Sequence, residues 1–465
     1  MIAKNLWILS EERPKAEVIC RILKIFAKDN NIASIMDPIR ILPILNEEGT
    51  FIFLYEVIGF HSPKINKIYL KLVSGYSSFV DYLIFYQNNE PIASDIPLYA
   101  IEETKTDDSE SRNTGVFQRA TKFIFIDFYY KNIKKIMLYN LSVQQKKKPT
   151  DTNVFGTRCL LTLGVKIIGK ELDPKIFKPF TDIDELIMFK NTMKPAPKGN
   201  IPILINKQID QIQISGRLVK SCGLSHDPNI GALSLIAAVL RKLGWRKRII
   251  ITQHCLKQEN LTSNNKFIKI ANMLDIEIEN LKVPQLSINP EYWKYETESE
   301  KIGTIFIHVT VNSFSNSKTI FENHAGCEKS YFITKDGEPI PLGKYSDRKA
   351  YKNGDKRKII SIPDLILLDI KRFKIINIEG KKYELREKAI EDLKNYDEIE
   401  KIYIQRYYPE EYKIVRTVVL YGGDEENVYE TEIGFLLNKR GVLVLGKKPP
   451  ELFNDAIKNL RDYWI

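Results

Sequence analysis

The sequence is 465 residues long and has a formal net charge of +11, with a pI near 9.0. This length allows about two to four domains, and the basic excess favours a polyanionic partner such as nucleic acid. The most apolar stretch, 232–240, is far shorter than the ~20 residues of a membrane span, and the five cysteines are too scattered for a disulfide framework. The N-terminus lacks the pattern of a secretory signal. We therefore expect a cytoplasmic protein without a membrane partner.

The first region, 1–148, predicts helices and strands in a mixed order. Apolar residues at helical spacing mark the helices, and β-branched and aromatic residues mark the strands. Helices are predicted at 13–29 and 115–125, and strands at 51–60, 67–73, 80–87, 98–106 and 134–140. A basic run at 146–148, followed by a proline, is typical of a linker.

The second region, 149–220, is predicted to be a small β-rich connection. Short apolar runs alternate with polar turns, and a hairpin is predicted between 202–208 and 211–219. No residue pattern here indicates a chemistry. A connecting or recognition role is the expectation.

The third region, 221–465, repeats the order of the first. Asp227 and Pro228 form a favourable helix start, since aspartate caps free amides and proline suits the first helical position. Helices are predicted at 227–243, 387–402 and 449–463. Strands are predicted at 248–252, 304–311, 329–334, 358–368, 374–381, 413–421, 432–437 and 441–445. Because identity between the two larger regions is negligible, we interpret this as a recurrence of architecture and not as a short repeat.

In the third region an aspartate is followed, on the next predicted strand, by a Glu-x-Lys tripeptide. Pro363 precedes Asp364, and 14 residues separate Asp364 from Glu379. Residues i and i+2 of a strand share a face, so Glu379 and Lys381 are expected side by side. Two carboxylates with open positions suit Mg²⁺, and a neighbouring lysine can orient water or stabilise transition-state charge. An isolated Glu-x-Lys is more often an exposed ion pair, but the apolar strand before it favours a site.

The first region has a similar pattern without the proline, formed by Asp81, Glu103 and Lys105. Glu102 is expected on the opposite face of the strand and is the weaker ligand candidate. Asp95 is an alternative to Asp81 if the strands are drawn differently. The sequence thus predicts two metal sites of one kind.

An aspartate on one strand and Glu-x-Lys on the next, with a helix before and a helix after, resembles the PD-(D/E)XK nuclease superfamily, which includes most type II restriction endonucleases. The resemblance implies an α+β fold, sandwich-like, with two mixed-sheet nuclease cores flanked by helices and joined by the β-rich region. It also implies Mg²⁺ as cofactor, double-stranded DNA as substrate and a bacterial or archaeal cytoplasm. A cognate DNA methyltransferase that forms no stable complex is the further implied partner, and the chain would be a monomer or a dimer.

The resemblance also assigns roles to polar residues around the first signature. Glu17, on the first helix, matches the place where many members of the superfamily add a third acid. Arg112 and Asn113 follow the signature strand, and Gln118 and Arg119 lie on the next helix, where they are candidates for DNA contacts. For the C-terminal site, the helix at 229–243 offers no buried third carboxylate.

The predicted activity is Mg²⁺-dependent hydrolysis of phosphodiester bonds at a specific DNA sequence, with each domain cutting one strand. In this interpretation the lysine positions or deprotonates the attacking water. Three alternatives stay open: one active and one degenerate domain, a repair or recombination nuclease, and a DNA-binding defence protein without hydrolysis. His254, Cys255, His324 and Cys327 offer zinc ligands, but their spacing matches no recurrent pattern. No phosphate-binding GxxxxGK[ST] loop occurs.

Overall fold

Helices and mixed β-sheets alternate along the chain, in agreement with an α+β class. The computed structural model describes residues 3–76, 78–104, 115–139, 149–193, 203–216, 228–262, 265–324, 331–342, 360–408 and 411–465. Residue contacts divide the chain into unit 1, residues 1–73 and 295–465, and unit 2, residues 74–294. These boundaries differ from the predicted ones after residues 148 and 220, because unit 2 is inserted within the sequence of unit 1. In the described residues, no helix has the length and apolar character needed to cross a bilayer.

The N-terminal part of unit 1 contributes one helix and four adjacent strands. In chain order these are β1 (Lys4–Ser10), α1 (Ala16–Asp29), β2 (Ile35–Leu45), β3 (Phe51–His61) and β4 (Ile65–Gly75). β2, β3 and β4 pair antiparallel, and β1 pairs parallel with β4. The helix α1 matches its predicted position, whereas β1 and β2 were not predicted.

Unit 2 begins with the strands and helix of the first signature. These are β5 (Tyr82–Tyr86), β6 (Tyr99–Thr104), α2 (Gly115–Tyr129) and β7 (Lys134–Tyr139). β5 and β6 pair antiparallel, and β6 and β7 pair parallel, with α2 as the crossover. All four elements were predicted to within a few residues.

The remainder of unit 2 is more helical than the sequence predicted. It contains α3 (Asp151–Thr162), β8 (Val165–Ile168), α4 (Ile183–Thr192), β9 (Ile205–Lys207), β10 (Gln211–Ser215), α5 (Pro228–Lys242), β11 (Arg248–Thr252), α6 (Asn265–Leu274), β12 (Ile276–Ile278) and β13 (Trp293–Tyr295). The β9–β10 hairpin is confirmed. The helices α3 and α4 were missed; each begins at a side-chain cap, Thr150 or Asp182, that accepts a backbone amide of the first turn.

The C-terminal part of unit 1 holds a six-stranded mixed sheet. Its elements begin with α7 (Lys301–Phe314), β14 (Ser317–Glu322), β15 (Tyr331–Ile333), β16 (Pro339–Pro341), β17 (Leu365–Asp369) and β18 (Lys374–Lys382). A helical segment follows, formed by a 3₁₀ turn (Tyr383–Leu385), α8 (Arg386–Asp392), a second 3₁₀ turn (Leu393–Tyr396), α9 (Asp397–Ile399), a π turn (Glu400–Ile404) and α10 (Gln405–Tyr407). The chain ends with β19 (Lys413–Tyr421), β20 (Ile433–Leu437), β21 (Leu443–Leu445) and α11 (Glu451–Trp464).

The order of this sheet is β14-β17-β18-β19-β20-β21. β14, β17 and β18 pair antiparallel, and β19 pairs parallel with β18 after the helical segment. The two strands of the C-terminal signature are therefore central neighbours. All five residues of β17 are buried, which explains why their apolar run was recognisable as a strand.

The prediction of a strand at 304–311 is wrong, because these residues form the middle of α7. Every residue from Ile302 to Val311 is buried, so the segment is apolar on all sides and shows no helical periodicity. Its β-branched residues favour a strand locally, but burial of the whole helix outweighs that preference. At Gly303 an added Cβ would lie 2.8 Å from the carbonyl oxygen of Leu420, so this glycine lets α7 approach β19 closely.

Candidate functional site

Asp364, Glu379 and Lys381 lie together in unit 1, and we call them the Asp364 centre. Asp364 directly precedes β17, and its Oδ2 accepts a hydrogen bond of 2.9 Å from the backbone amide of Gly380 on β18. The Lys381 Nζ donates to Glu379 Oε1, so the two side chains share one face as strand alternation predicts. The tyrosine hydroxyl of Tyr396 donates to Glu379 Oε2. The structure thus brings together all three predicted C-terminal residues.

The negative charges of both carboxylates in the Asp364 centre are poorly stabilised by their surroundings. Burial and the nearby charge of Glu379 raise the pKa of Asp364 to about 7, although the Gly380 amide and Lys381 oppose this shift. Burial likewise raises the pKa of Glu379. Burial lowers the pKa of Lys381. The hydrogen bond to Glu379 and the negative charges of Glu379 and Asp364 have a larger effect, so the pKa of Lys381 is raised overall. The centre therefore has anionic groups that favour an additional cation and an ammonium group that keeps its proton.

Two further acids act on this centre, and sequence reasoning missed them. Glu300, at the start of α7, contributes negative charge at Asp364 and at Lys381. Asp392, in α8, does the same at Glu379. Glu300 is not among the residues that the sequence pattern indicates, and the segment after it, 304–311, was predicted as a strand. A correct assignment of α7 would have placed an acid at the helix end beside the signature strands.

The glycine of the Glu-Gly-Lys tripeptide is required by packing. A Cβ at Gly380 would overlap the Oγ1 of Thr304 on α7 and come within 3.1 Å of Asp364 Oδ2. Its missing side chain therefore lets α7 lie against β18 at the level of the carboxylates. The backbone amide of Gly380 donates to Asp364 Oδ2 and so fixes the orientation of that carboxylate.

In unit 2 the structure brings Glu102, and not Glu103, to Asp81. Glu102 is 2% exposed, and the Lys122 Nζ donates to its Oε2 at 2.8 Å and lies 3.5 Å from Asp81 Oδ1. Glu103 offers its backbone amide to Asp81 Oδ2 at 2.6 Å, while its side chain projects from the other face of β6. The predicted assignment of faces is therefore corrected. We call Asp81, Glu102 and Lys122 the Asp81 centre.

The strand register makes the two centres equivalent. Leu365 pairs with Ile378 in unit 1, and Tyr82 pairs with Ile101 in unit 2. In both, the aspartate precedes the first residue of the pair and the glutamate follows the second. In both, the aspartate also accepts the amide of the residue after that glutamate. By this register the position of Lys381 corresponds to Thr104, and the ammonium group of the Asp81 centre comes from Lys122 on α2 instead.

Burial raises the pKa of Glu102 to about 8, and the charge of Asp81 adds to this effect, while Lys122 and Arg119 oppose it. Lys266, in the first turn of α6, is also near, since Glu102 and Lys122 both act on it. Burial lowers the pKa of Lys266 to about 8. The Asp81 centre thus has three basic side chains around two acids.

The other predicted residues have mixed outcomes. Glu17 is exposed on α1 in unit 1, whereas Asp81 belongs to unit 2. Asp95 is used in a local turn, where its Oδ2 accepts from the Gln87 side chain and the Ile92 amide, so it does not replace Asp81. Arg119 is half-buried on α2, and only the backbone of Gln118 is described. Three residues, Lys105, Arg112 and Asn113, lie outside the described residues.

A different cluster of possible metal ligands lies in unit 1, formed by His308, Glu322 and His324. The His308 and His324 rings share a hydrogen bond of 2.9 Å, and Glu322 is held by Arg13 at 2.7 Å and by Lys15 at 2.9 Å. Because two cations already occupy the carboxylate, the cluster is a buried polar network that does not fit a further cation. His254 bonds to the Glu279 carbonyl, and Cys327 lies outside the described residues, so the structure gives the zinc alternative no support.

Comparison of the chain with protein-family models, curated proteins and solved structures found no match.

Proposed function

We propose that the protein is a Mg²⁺-dependent DNA endonuclease of the type II restriction kind, and that the Asp364 centre hydrolyses the phosphodiester bond. The observation that carries the proposal is the convergence of two insufficiently compensated carboxylates and one ammonium group at the ends of adjacent strands. Such groups are typical of a hard-cation site where phosphoryl chemistry takes place. The order α7, β14, β17, β18, helical segment, β19 supports the same proposal, since it agrees with the nuclease resemblance of the sequence.

The carboxylate set fits a magnesium ion. Asp364 and Glu379 provide oxygen donors, and Glu300 adds negative charge at the centre. A raised carboxyl pKa indicates that the ionised form lacks stabilisation, which a divalent cation would provide. When bound, Mg²⁺ supplies a Lewis acid for the phosphate oxygens and lowers the pKa of a coordinated water.

The protein's own groups then have distinct tasks. The Gly380 amide fixes the Asp364 carboxylate, and the Tyr396 hydroxyl fixes that of Glu379. Lys381 keeps its proton in this environment, so it stabilises developing charge on the phosphate and orients water, and it is a poor general base. Of the two roles that the sequence left open for Lys381, positioning the attacking water is therefore favoured over deprotonating it.

DNA as the substrate is supported by the net charge of +11, which favours binding to polyanions. A restriction enzyme would also require a cognate methyltransferase to protect host DNA. The equivalent register of the Asp81 centre favours a second candidate function in which both centres cleave, one strand each.

The test is digestion of supercoiled plasmid containing varied sequence, with Mg²⁺ and with EDTA, by the wild type and by Lys381→Ala and Glu379→Gln. We expect discrete fragments from the wild type with Mg²⁺ only, and loss of cleavage by both variants. Lys382→Ala is the matched control, because it removes the same charge from the neighbouring residue of β18. Equal cleavage by Lys381→Ala and the wild type would contradict the proposal, and binding without cleavage by any form would favour the DNA-binding alternative.

A further inference from the structure

The two centres differ in the balance of their charges. Around Asp364 and Glu379, the acids Glu300 and Asp392 add to the negative charge, and Lys381 is the cation that acts on both carboxylates. Around Asp81 and Glu102 the balance is reversed, because the three basic residues Lys122, Arg119 and Lys266 surround them. A cation is attracted to the first arrangement, and an anion to the second.

Two of these basic side chains lie near the charge of Glu102 without forming a direct ion pair with it. In the described part of the chain, neither Arg119 nor Lys266 forms a salt bridge or a hydrogen bond, although both are half-buried. Lys122 is the one that holds Glu102 and Asp81. A half-buried cation without a direct ion pair is only partly compensated, and an anion at this position would reduce the cost of burying it.

The local geometry allows an anion to enter. The side chains of Lys122 and Asp81 are 23% and 26% exposed, so the centre is open to solvent. Lys266 is the second residue of α6, where the first turn of a helix adds partial positive charge. The chemistry of this set matches a phosphate, which accepts several charge-assisted hydrogen bonds at once.

We propose that the Asp81 centre binds a backbone phosphate of DNA through Lys266, Arg119 and Lys122, without a divalent metal ion. The inference rests on the proposed function in that DNA is the ligand. Unit 2 then anchors the duplex, and the Asp364 centre performs the hydrolysis. The strand geometry that the two centres share is thus used for binding in unit 2, where the charge balance does not suit a metal.

Binding of a fluorescent duplex in EDTA tests this, with anisotropy measured over a range of salt concentrations. Lys266→Met and Arg119→Gln should each weaken binding about tenfold, because each removes a charged phosphate contact. Each should also reduce the slope of log K against log salt by about 0.9. The control Lys257→Ala, an exposed lysine of unit 2 that is 71% exposed, should leave both quantities unchanged. Lys266→Met should not lower the thermal stability, since it removes an unpaired cation, and this separates binding from folding.

Plasmid cleavage with Mg²⁺ provides the second readout. Lys122→Ala should slow the cutting of both strands in parallel through weaker binding, with no accumulation of nicked circles. Wild-type affinity and salt slope in Lys266→Met and Arg119→Gln would overturn the proposal. Nicked product that persists with Lys122→Ala would also overturn it and would favour two nuclease centres. Neither outcome depends on Lys381→Ala, whose failure to abolish cleavage would instead contradict the proposed function.

Discussion

The Asp364 and Asp81 centres have the same strand register, yet the side chains around them give them different balances of charge. At the position where unit 1 has Lys381, unit 2 has Thr104, and the ammonium group comes from Lys122 on a helix. At the position of Gly380, where a Cβ would overlap Thr304 Oγ1, unit 2 has Glu103. Backbone pairing thus places the aspartate and the glutamate alike in both centres, while residues from other elements set the local charge.

The largest expected effect concerns cleavage. Lys381→Ala should reduce the cleavage rate by about 10² to 10³-fold, the usual loss when one transition-state stabilising group is removed. Lys122→Ala should cost about tenfold, through DNA binding alone. Single-turnover cleavage at a saturating enzyme concentration separates the two effects. Equal losses in the rate of the chemical step would show that the centres are functionally alike.

The second prediction is that two buried groups, His324 in unit 1 and Glu102 in unit 2, respond to acid in opposite directions. Burial, the first cause, lowers the pKa of His324 from 6.5 to about 4, so the folded state prefers the neutral ring. The stability that His324 contributes to unit 1 should fall as the pH drops from about 6.5 to 4, by on the order of 3 kcal/mol, while Asp364 in the same unit, with its pKa raised to about 7, acts in the opposite direction. Glu102 has a raised pKa of about 8, so the folded state binds its proton more tightly, and this group stabilises unit 2 as the pH falls from 8 towards 4.5.

Denaturant unfolding at several pH values measures this, with variants that keep one tryptophan as a probe. Trp7 reports on unit 1 and Trp245 on unit 2, and both are buried. His324→Gln is the matched variant for the acid effect, because it removes the titrating ring. The loss of stability of unit 1 in acid should be smaller in His324→Gln than in the wild type, and an equal pH dependence of the two proteins would contradict the prediction.

Gly380→Ala should destabilise unit 1 by about 1–3 kcal/mol, the range for an overpacked contact, and should reduce cleavage because Asp364 is displaced. The double variant Gly380→Ala with Thr304→Ala should recover part of the stability, since the overlapping hydroxyl is gone. Glu103→Ala, at the equivalent position of unit 2, should change stability by no more than about 0.5 kcal/mol. Thermal unfolding of the four proteins is the measurement, and a fully stable Gly380→Ala would contradict the packing argument.

The smallest effect concerns stabilisation by metal. At a Mg²⁺ concentration ten times its dissociation constant, binding should stabilise the wild type by about 1.4 kcal/mol. Glu379→Gln should abolish this gain, whereas Glu102→Gln should retain it. A calorimetric scan with and without Mg²⁺ decides the matter, and loss of the gain in Glu102→Gln would place a metal in the Asp81 centre as well.

The sequence predicted the Asp364 centre well, because apolar strands end there in charged residues. The strands β18 and β19 were predicted to within one residue, the strand predicted at 358–368 begins seven residues before β17, and the three site residues do meet. The Asp81 centre was harder to predict, because Glu102 and Glu103 are adjacent on β6. A shift of one residue in the predicted strand register moves a side chain to the other face of the sheet. Nothing in the local pattern distinguishes the two.

Residues that enter a site from distant helices could not be predicted at all. Lys122 and Lys266 follow Glu102 by many residues, and tertiary packing alone brings them together. Glu300 was also missed. Burial of α7 on all sides removes the periodicity that identifies a helix, so the position of Glu300 at a helix end was not evident. Burial is a property of the fold, so its effects on charge and on helix preference appear only with the structure.

The insertion of unit 2 within unit 1 has a consequence for biosynthesis. A ribosome that adds about 5–20 residues per second needs roughly 10–40 s to translate residues 74–294. During this time the first 73 residues, which include β1 to β3, have emerged without the rest of their unit, while unit 2 has become complete. The nascent chain therefore acquires its inserted part first, and the Asp364 centre is assembled only when synthesis of the C-terminal sheet ends. Premature termination would leave a polypeptide that lacks Asp364, Glu379 and Lys381 and has no means of cutting DNA by the proposed route.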